Sequence, residues 1–286
     1  MRGALIVLAL AIATTACSRE PRLRIGSKNF SEQYVLGEII ARHLENRLHI
    51  RISRHFGIGG ALLAQQALES GEIDLFPEYT GTALTAVLKL PSEHDPALVL
   101  RQLRQRYAPR GLAWMDPLGF ENTYALAVRN DSTAAVTLSD AAREKPWRMG
   151  MGYEFAGSPD GLAGLKTTYG LRLEGKPKTM DLGLLYQALG KKQVDLVAAN
   201  STDGMLSILA LKVLQDDRHY FPPYECAIVV REQALAQFTG LRAALGELSG
   251  RISADNMRRL NYQLDGKHRP AREIARGFLR ASGLEK

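Results

Sequence analysis

An α/β fold built on parallel sheets follows from three features of the sequence. Short apolar segments alternate with amphipathic stretches from Leu23 to Phe76, and the same rhythm restarts near Arg148. Two segments, Gly71-Glu72-Ile73-Asp74-Leu75 and Lys192-Gln193-Val194-Asp195-Leu196, share one form. In each, a helix ends, a polar turn follows, and an apolar strand carries Asp near its start. Strands alternating with helical patterns argue for βαβ units. The shared form hints at two similar lobes, although no strict repeat is present.

Leu23 to Gly26 reads as the first strand, and Ser27-Lys28-Asn29-Phe30 as a turn. Ser31, Glu32 and Gln33 open a helix with Val35, Leu36, Ile39, Ile40 and Leu44 at helical spacing. His49 to Ser53 alternates like a second strand. Gly57-Ile58-Gly59-Gly60 reads as a tight structural turn, in preference to a backbone anion site. A helix from Ala61 to Glu69 is ended by Ser70-Gly71, and Ile73 to Phe76 is a short strand.

Thr123 to Val128 forms another strand, and Arg148 to Gly152 starts the second α/β unit. Helices over Leu162–Tyr169 and Leu182–Leu189 end at Gly170 and Gly190. Val194 to Ala198 is a strand, and Val213-Leu214 opens one more. After Phe221-Pro222-Pro223-Tyr224, Ala227 to Val230 is strand-like. Leu235 to Arg280 is mostly helical, with helices over Asp255–Leu260 and Pro270–Leu279.

The 286 residues suffice for two modest domains with real cores. With 45% hydrophobic and 23% charged residues, the composition excludes a disordered chain or a fibre. The net charge of +7 is interspersed, which reads as a solvated basic surface with a tilt toward anionic partners such as membrane lipid. No nucleic-acid partner is implied.

Residues 1–16 read as a signal peptide: Met1-Arg2, an apolar run from Leu5 to Ala13, then small residues to Ala16. That run is too short to span a bilayer, which takes about 20 residues. Small residues directly before Cys17 resemble a bacterial lipobox, with Thr14 where Leu is usual. Cys17 is therefore expected to be lipidated, with residues 17–21 as the anchor's tether to the membrane. The alternative is a released periplasmic protein. Both readings export the chain. Cys226 then has no partner and reads as a buried structural thiol.

Catalytic signatures are missing. There is no Gly-x-Ser-x-Gly, no phosphate loop and no Cys-x-x-Cys pair. The six His residues are scattered, with none at metal-ligand spacing. Asp216, Asp217 and His219 read as a surface loop. No enzyme, cofactor or metal is expected. What remains is a set of aromatic residues in strand-end loops: Tyr79, Tyr124 and Tyr224. Ligands of open α/β sheets sit beyond strand ends, and such loops carry function more often than cores do. Taken singly, each Tyr reads as a packing residue; their shared placement favours a site.

Four segments carry a resemblance. They are Gly26 to Gln33, Gly71 to Thr82, Ser201-Thr202-Asp203-Gly204, and Asp216-Asp217 through Phe221-Pro222-Pro223-Tyr224; Asn261-Tyr262-Gln263 also fits. On these the chain resembles the glycine betaine/choline/carnitine family of ABC-transporter binding proteins, over essentially its whole mature length. The resemblance implies a two-lobed periplasmic-binding-protein fold (Venus-flytrap, type II), with two β-strand crossovers at the hinge. Lobe one would comprise 22–126 and 222–286, and lobe two 127–221, with crossings near Ala127 and Phe221. It further implies an importer's binding protein with no enzymatic activity, an ABC permease and its ATPase as partners, and a monomer that acts in osmoprotection.

By the same resemblance Tyr79, Tyr124 and Tyr224 would cage a quaternary ammonium, while Lys28 and Thr82 would face the ligand's anionic or polar end. The chemistry is coherent. A quaternary ammonium has no N–H to donate, so aromatic faces must supply selectivity, at about 0.5–2 kcal/mol each. Two positions depart from the pattern. Asn200 stands where an aromatic is common, and Ser158 where Arg is common. Each loss costs about 1–3 kcal/mol toward glycine betaine. Choline, or a larger solute such as ergothioneine that reaches Asn200 and Ser158, therefore stays open beside betaine. A sensory ligand-binding protein is a further alternative, and an enzyme on this fold is the least supported.

Overall fold

The protein is described by a computed structural model covering residues 22–157, 160–209 and 211–285. The expected signal peptide, Cys17 with its tether, and Ser158 lie outside these residues.

The first group of elements is β1 (Leu23–Gly26), α1 (Ser31–Leu48), β2 (Ile52–His55), α2 (Ala61–Ser70) and β3 (Leu75–Tyr79). A single turn, α3 (Thr80–Thr82), continues as a π-helical turn over Ala83–Val87. Then come α4 (Pro96–Tyr107) and β4 (Leu112–Trp114). The second group is β5 (Tyr124–Arg129), α5 (Leu138–Arg143), β6 (Met149–Met151), α6 (Tyr153–Gly157), α7 (Leu162–Tyr169), β7 (Lys178–Thr179), α8 (Leu182–Gly190), β8 (Leu196–Asn200), α9 (Met205–Ile208) and β9 (Leu211–Leu214). β10 (Cys226–Arg231) returns, followed by α10 (Glu232–Gln237), α11 (Leu241–Gly246), α12 (Ala254–Asp265) and α13 (Ala271–Ala281).

Local chemistry explains where the elements shift from expectation. The second strand starts at Ile52 rather than His49, because α1 runs on to Leu48. His49 closes it in the left-handed conformation, φ 53°, with its N–H on the Glu45 carbonyl at 3.1 Å. β3 runs past Pro77, which reads as a strand breaker but pairs with Ile228. Helix α4 was not anticipated, although its signal is present. Asp95 accepts from the N–H groups of Ala97 and Leu98, Pro96 takes the first helical position, and Val99, Leu103 and Tyr107 are buried.

The strands form two five-stranded sheets, ordered β2-β1-β3-β10-β4 and β7-β6-β8-β5-β9. Both sheets are mixed rather than parallel. In each, three strands run parallel, a fourth runs against them, and the edge strand runs against the fourth. The fourth strand is the one whose chain has just left the other sheet: β5 follows β4, and β10 follows β9. Crossing over reverses its direction. Alternate residues of β5 face different cores, Leu126 and Val128 one and Ala127 the other. In β10, Ile228 and Val230 face one core, Ala227 and Val229 another. Burial on both faces is why these strands read as unbroken apolar runs.

The repeated Asp-bearing segments occupy equivalent places. Asp74, at the start of β3, takes Arg24 of β1 in a two-pronged pair at 3.0 and 2.7 Å, with Arg231 of β10 at 3.5 Å. Asp195, at the start of β8, takes Arg148 beside β6 at 2.7 and 2.8 Å and Arg129 of β5 at 3.1 Å. One carboxylate therefore pins three neighbouring strands in each lobe. Planar guanidinium on carboxylate is the strongest of the ordinary ion-pair geometries.

β5 lies wholly in the second sheet, so the expected crossing near Ala127 falls inside a strand. We place the first crossing between Trp114 and Tyr124, and the second between Leu214 and Cys226, around the expected Phe221. The lobes also touch away from the crossings. Arg258 of α12 donates to the Ser201 carbonyl at 2.6 Å, and Asn261 to the Thr202 carbonyl at 2.9 Å.

Hydrogen bonds from Arg148, opposed by partial burial and aided by Arg129, hold the Asp195 carboxyl at about 2, below its ordinary 3.8. A depressed carboxyl stabilises the fold above its unfolded value and loses that contribution as pH falls toward the folded one. Asp195→Ala should therefore cost about 1–3 kcal/mol near neutrality. Thermal denaturation should show the gap from wild type closing as pH falls from about 4 to about 2.

Candidate functional site

Strand ends from both sheets converge on one cavity of about 570 Å³. β3 brings Tyr79 at its end, and the turn after it brings Thr82. β5 begins with Tyr124, β8 ends with Asn200, and Tyr224 stands just before β10. The loop after β1 adds Lys28, Asn29 and Phe30. Six of the seven expected ligand positions thus line a single space: Tyr79, Tyr124, Tyr224, Lys28, Thr82 and Asn200. The seventh, Ser158, lies outside the described residues.

Each ring is held by a different device. Tyr79 is 4% exposed, and its hydroxyl donates to Glu32 of α1. Glu32 also accepts from Asn122 at 3.2 Å and from Asn261 at 2.9 Å. Burial raises the Glu32 carboxyl above its usual value, against the pull of hydrogen bonds from Tyr79, Thr202, Asn261 and Asn122. Burial first, then the Glu32 charge, push the Tyr79 phenol well above 10, so it remains a neutral donor. The Tyr224 hydroxyl donates to Asp160 at 2.9 Å, and burial followed by the Asp160 charge raises it too. Tyr124 is wedged edge-on against Phe155, ring centres 4.9 Å apart at 76°, with Phe221 at 6.0 Å.

Gly81 lets Tyr224 come close. A Cβ there would stand 2.8 Å from the Tyr224 ring and from the Pro223 carbonyl. Any larger residue must displace the ring and the backbone at Pro223.

Lys28 is 5% exposed and paired with Glu78, which also accepts the Tyr79 N–H at 2.6 Å. A buried ammonium without such a partner would be strongly disfavoured. The ammonium also lies 4.4 Å from the centre of the Tyr79 ring and 5.8 Å from that of Phe30. The ring's face therefore already carries a cation. Because Glu78 matches its charge, Lys28 adds N–H donors to the cavity more than net positive charge. Neither Thr82 nor the Asn200 amide has a side-chain hydrogen bond among the described residues, and both remain available in the cavity.

Residue-by-residue reading overlooked Phe30 and Asn122. Phe30 is 38% exposed and stacks 6.3 Å from Tyr79 at 23°, a fourth aromatic wall. Its signal was an aromatic in the same strand-end loop as Lys28. Asn122 sits two residues before Tyr124 on the crossing, where only the network around Glu32 reveals its use. Cys226 is fully buried opposite Tyr79, and burial raises its thiol well above the usual range, so it is no nucleophile. Asp216 is a turn anchor, accepting from the backbone N–H groups of Tyr220 and Phe221 at 2.9 and 2.8 Å.

Two like sheets, paired crossings and an aromatic cleft at the strand ends define the class, a two-lobed α/β solute-binding protein. A solved glycine betaine/carnitine/choline ABC transporter structure superposes with a TM-score of 0.87 at 31% identity, over 92% of this chain and 99% of that one. The glycine-betaine-binding protein of Pseudomonas aeruginosa is 34% identical over 92% of this chain and 88% of its own. The ergothioneine transport permease/ergothioneine binding protein EgtU of Helicobacter pylori is 33% identical over 98% of this chain, which matches 51% of that longer protein. The family described as the substrate binding domain of the ABC-type glycine betaine transport system matches residues 21–281. The chain belongs to that family.

Gly81→Ala should lower the melting temperature, because the Pro223 backbone carbonyl must move along with the ring. Solute affinity should fall by about threefold or more, since a displaced ring loses a contact worth about 0.5–2 kcal/mol. Calorimetric titration of both proteins checks this.

Proposed function

We propose that this chain captures a quaternary-ammonium solute in the cleft and delivers it to an ABC permease and its ATPase. The observation that supports this most is the gathering of Tyr79, Tyr124, Tyr224 and Phe30 around one cavity. A permanently alkylated cation presents a diffuse charge and a greasy surface. Aromatic faces match both, while water competes poorly because the cation cannot donate to it. The neutral Tyr79 and Tyr224 phenols keep their quadrupoles and keep their hydroxyls occupied elsewhere. Lys28 and Thr82, which line the same cavity, would supply donors to a carboxylate or hydroxyl of the solute.

Closure follows from geometry. Tyr79 and Phe30 belong to the first lobe, and Tyr124 and Asn200 to the second. A solute touching all four is best bound when the lobes approach, so binding shifts the population toward the closed form. The closed form is what a permease would distinguish. No covalent step is needed. The protein works outside the cytoplasmic membrane as a monomer, held there by a lipid on Cys17.

A second reading keeps the role and changes the cargo to a larger solute such as ergothioneine. Asn200 favours it, because an amide in place of a ring leaves the cleft wider, and a relative of comparable identity is named for that compound.

Tyr79→Ala and Tyr224→Ala should each weaken binding of glycine betaine or choline about tenfold or more, a loss near 1.4 kcal/mol per decade, with the fold intact by circular dichroism. Unchanged affinity in both variants would remove the cage from the account.

A further inference from the structure

The cavity offered to a cation has a cation as its one charged wall. Among the described residues, Lys28 is the only charged side chain that lines it. Its ammonium lies 4.4 Å from the centre of the Tyr79 ring, a ring proposed for the solute's own charge. Like charges a few ångströms apart repel strongly where water is excluded. Left alone, Lys28 would turn a quaternary ammonium away.

Glu78 stands behind Lys28. It is 1% exposed, pairs with the ammonium and does not line the cavity. Its hydrogen bonds do not require its charge. One oxygen, Oε1, takes both donors, the Lys28 ammonium and the Tyr79 N–H at 2.6 Å. The other, Oε2, is buried with no hydrogen-bond partner among the described residues. A glutamine could serve both donors through its own carbonyl oxygen. What a carboxylate adds at this position is the negative charge. The carboxylates behind the rings, Glu32 and Asp160, accept from the Tyr79 and Tyr224 phenols instead, and neither is paired with Lys28.

We propose that Glu78 is a specificity-determining residue, whose charge lets the cleft accept solutes that are net cations as well as zwitterions. This rests on the quaternary-ammonium reading and deepens it. With the pair intact, the wall is neutral. Choline carries no carboxylate to offset Lys28, so its binding depends on Glu78. Glycine betaine brings a carboxylate of its own, so it does not. The two solutes share one trimethylammonium head and meet the same rings. Removing the Glu78 charge therefore separates them without touching the cage.

The test titrates choline and glycine betaine calorimetrically into wild type, Glu78→Gln, Lys28→Met and the double variant, near pH 6 and at low salt. In Glu78→Gln, choline should weaken about tenfold or more, a loss of about 1.4 kcal/mol. Glycine betaine should tighten, its carboxylate meeting an unopposed ammonium. Lys28→Met leaves the carboxylate unopposed and should move the ratio of the two affinities the other way. The double variant is neutral again and should return choline to within about threefold of wild type. Opposite shifts cannot arise from a shared loss of fold, and should Glu78→Gln fail to fold, the direction of the Lys28→Met shift decides. An unchanged ratio in the folded single variants, or a wild type that binds glycine betaine but not choline, overturns the role of Glu78 and leaves the cage standing. Failure of wild type to bind either solute overturns both.

Discussion

The tie between a tyrosine hydroxyl and a buried or half-buried carboxylate is the interaction on which this cleft depends. Tyr79 is tied to Glu32 and Tyr224 to Asp160. A tyrosine in a binding wall has two competing uses for its hydroxyl, solvent and solute. Tying it elsewhere settles both and leaves the ring to meet the cavity, although at Tyr79 the Lys28 ammonium already lies 4.4 Å from the ring centre. The tie also fixes the position of the side chain's tip, which lowers the ordering cost of binding. Glu32 serves more than Tyr79. Through Asn122 it reaches the first crossing, and through Asn261 it reaches Thr202 of the second lobe. The ring that would hold the cation and the contacts between lobes therefore share one carboxylate.

The two lobes are the same solution used twice. The strand orders correspond position for position, and in each an Asp at a strand start clamps Arg side chains from two neighbouring strands. Both clamps sit at the end of the sheet opposite the cleft. Stiffness is therefore concentrated where nothing needs to move. The cleft end is left to turns, to Gly81 and to side chains that can adjust as the lobes approach.

Much of this was legible in the sequence, and the reasons are local. The clamp segments showed as paired Gly71 to Leu75 and Lys192 to Leu196 because the same turn and the same Asp are needed in both places. Tyr79, Tyr124 and Tyr224 stood out because strand-end aromatics are conspicuous. Helix α1 was readable from its apolar spacing, and β1 from its bounds. Strand direction was not, since a reversed strand has the same composition as a parallel one; only the crossings make β5 and β10 antiparallel. Nor could the sequence place Lys28 beside Glu78, because an ion pair between residues fifty apart depends on which strands become neighbours. Phe30 was passed over for a related reason. Its ring becomes a wall only once β1 and β3 lie side by side, with Tyr79 at the end of one and Phe30 in the loop after the other.

The central claim is that ring faces recognise the solute's charge rather than its shape. Choline and 3,3-dimethylbutan-1-ol, its uncharged carbon counterpart, differ in little else. Titrated in parallel into the mature protein, choline should bind at least about tenfold more tightly, as two or more cation–ring contacts of about 0.5–2 kcal/mol require. Equal affinity for the two would contradict the account.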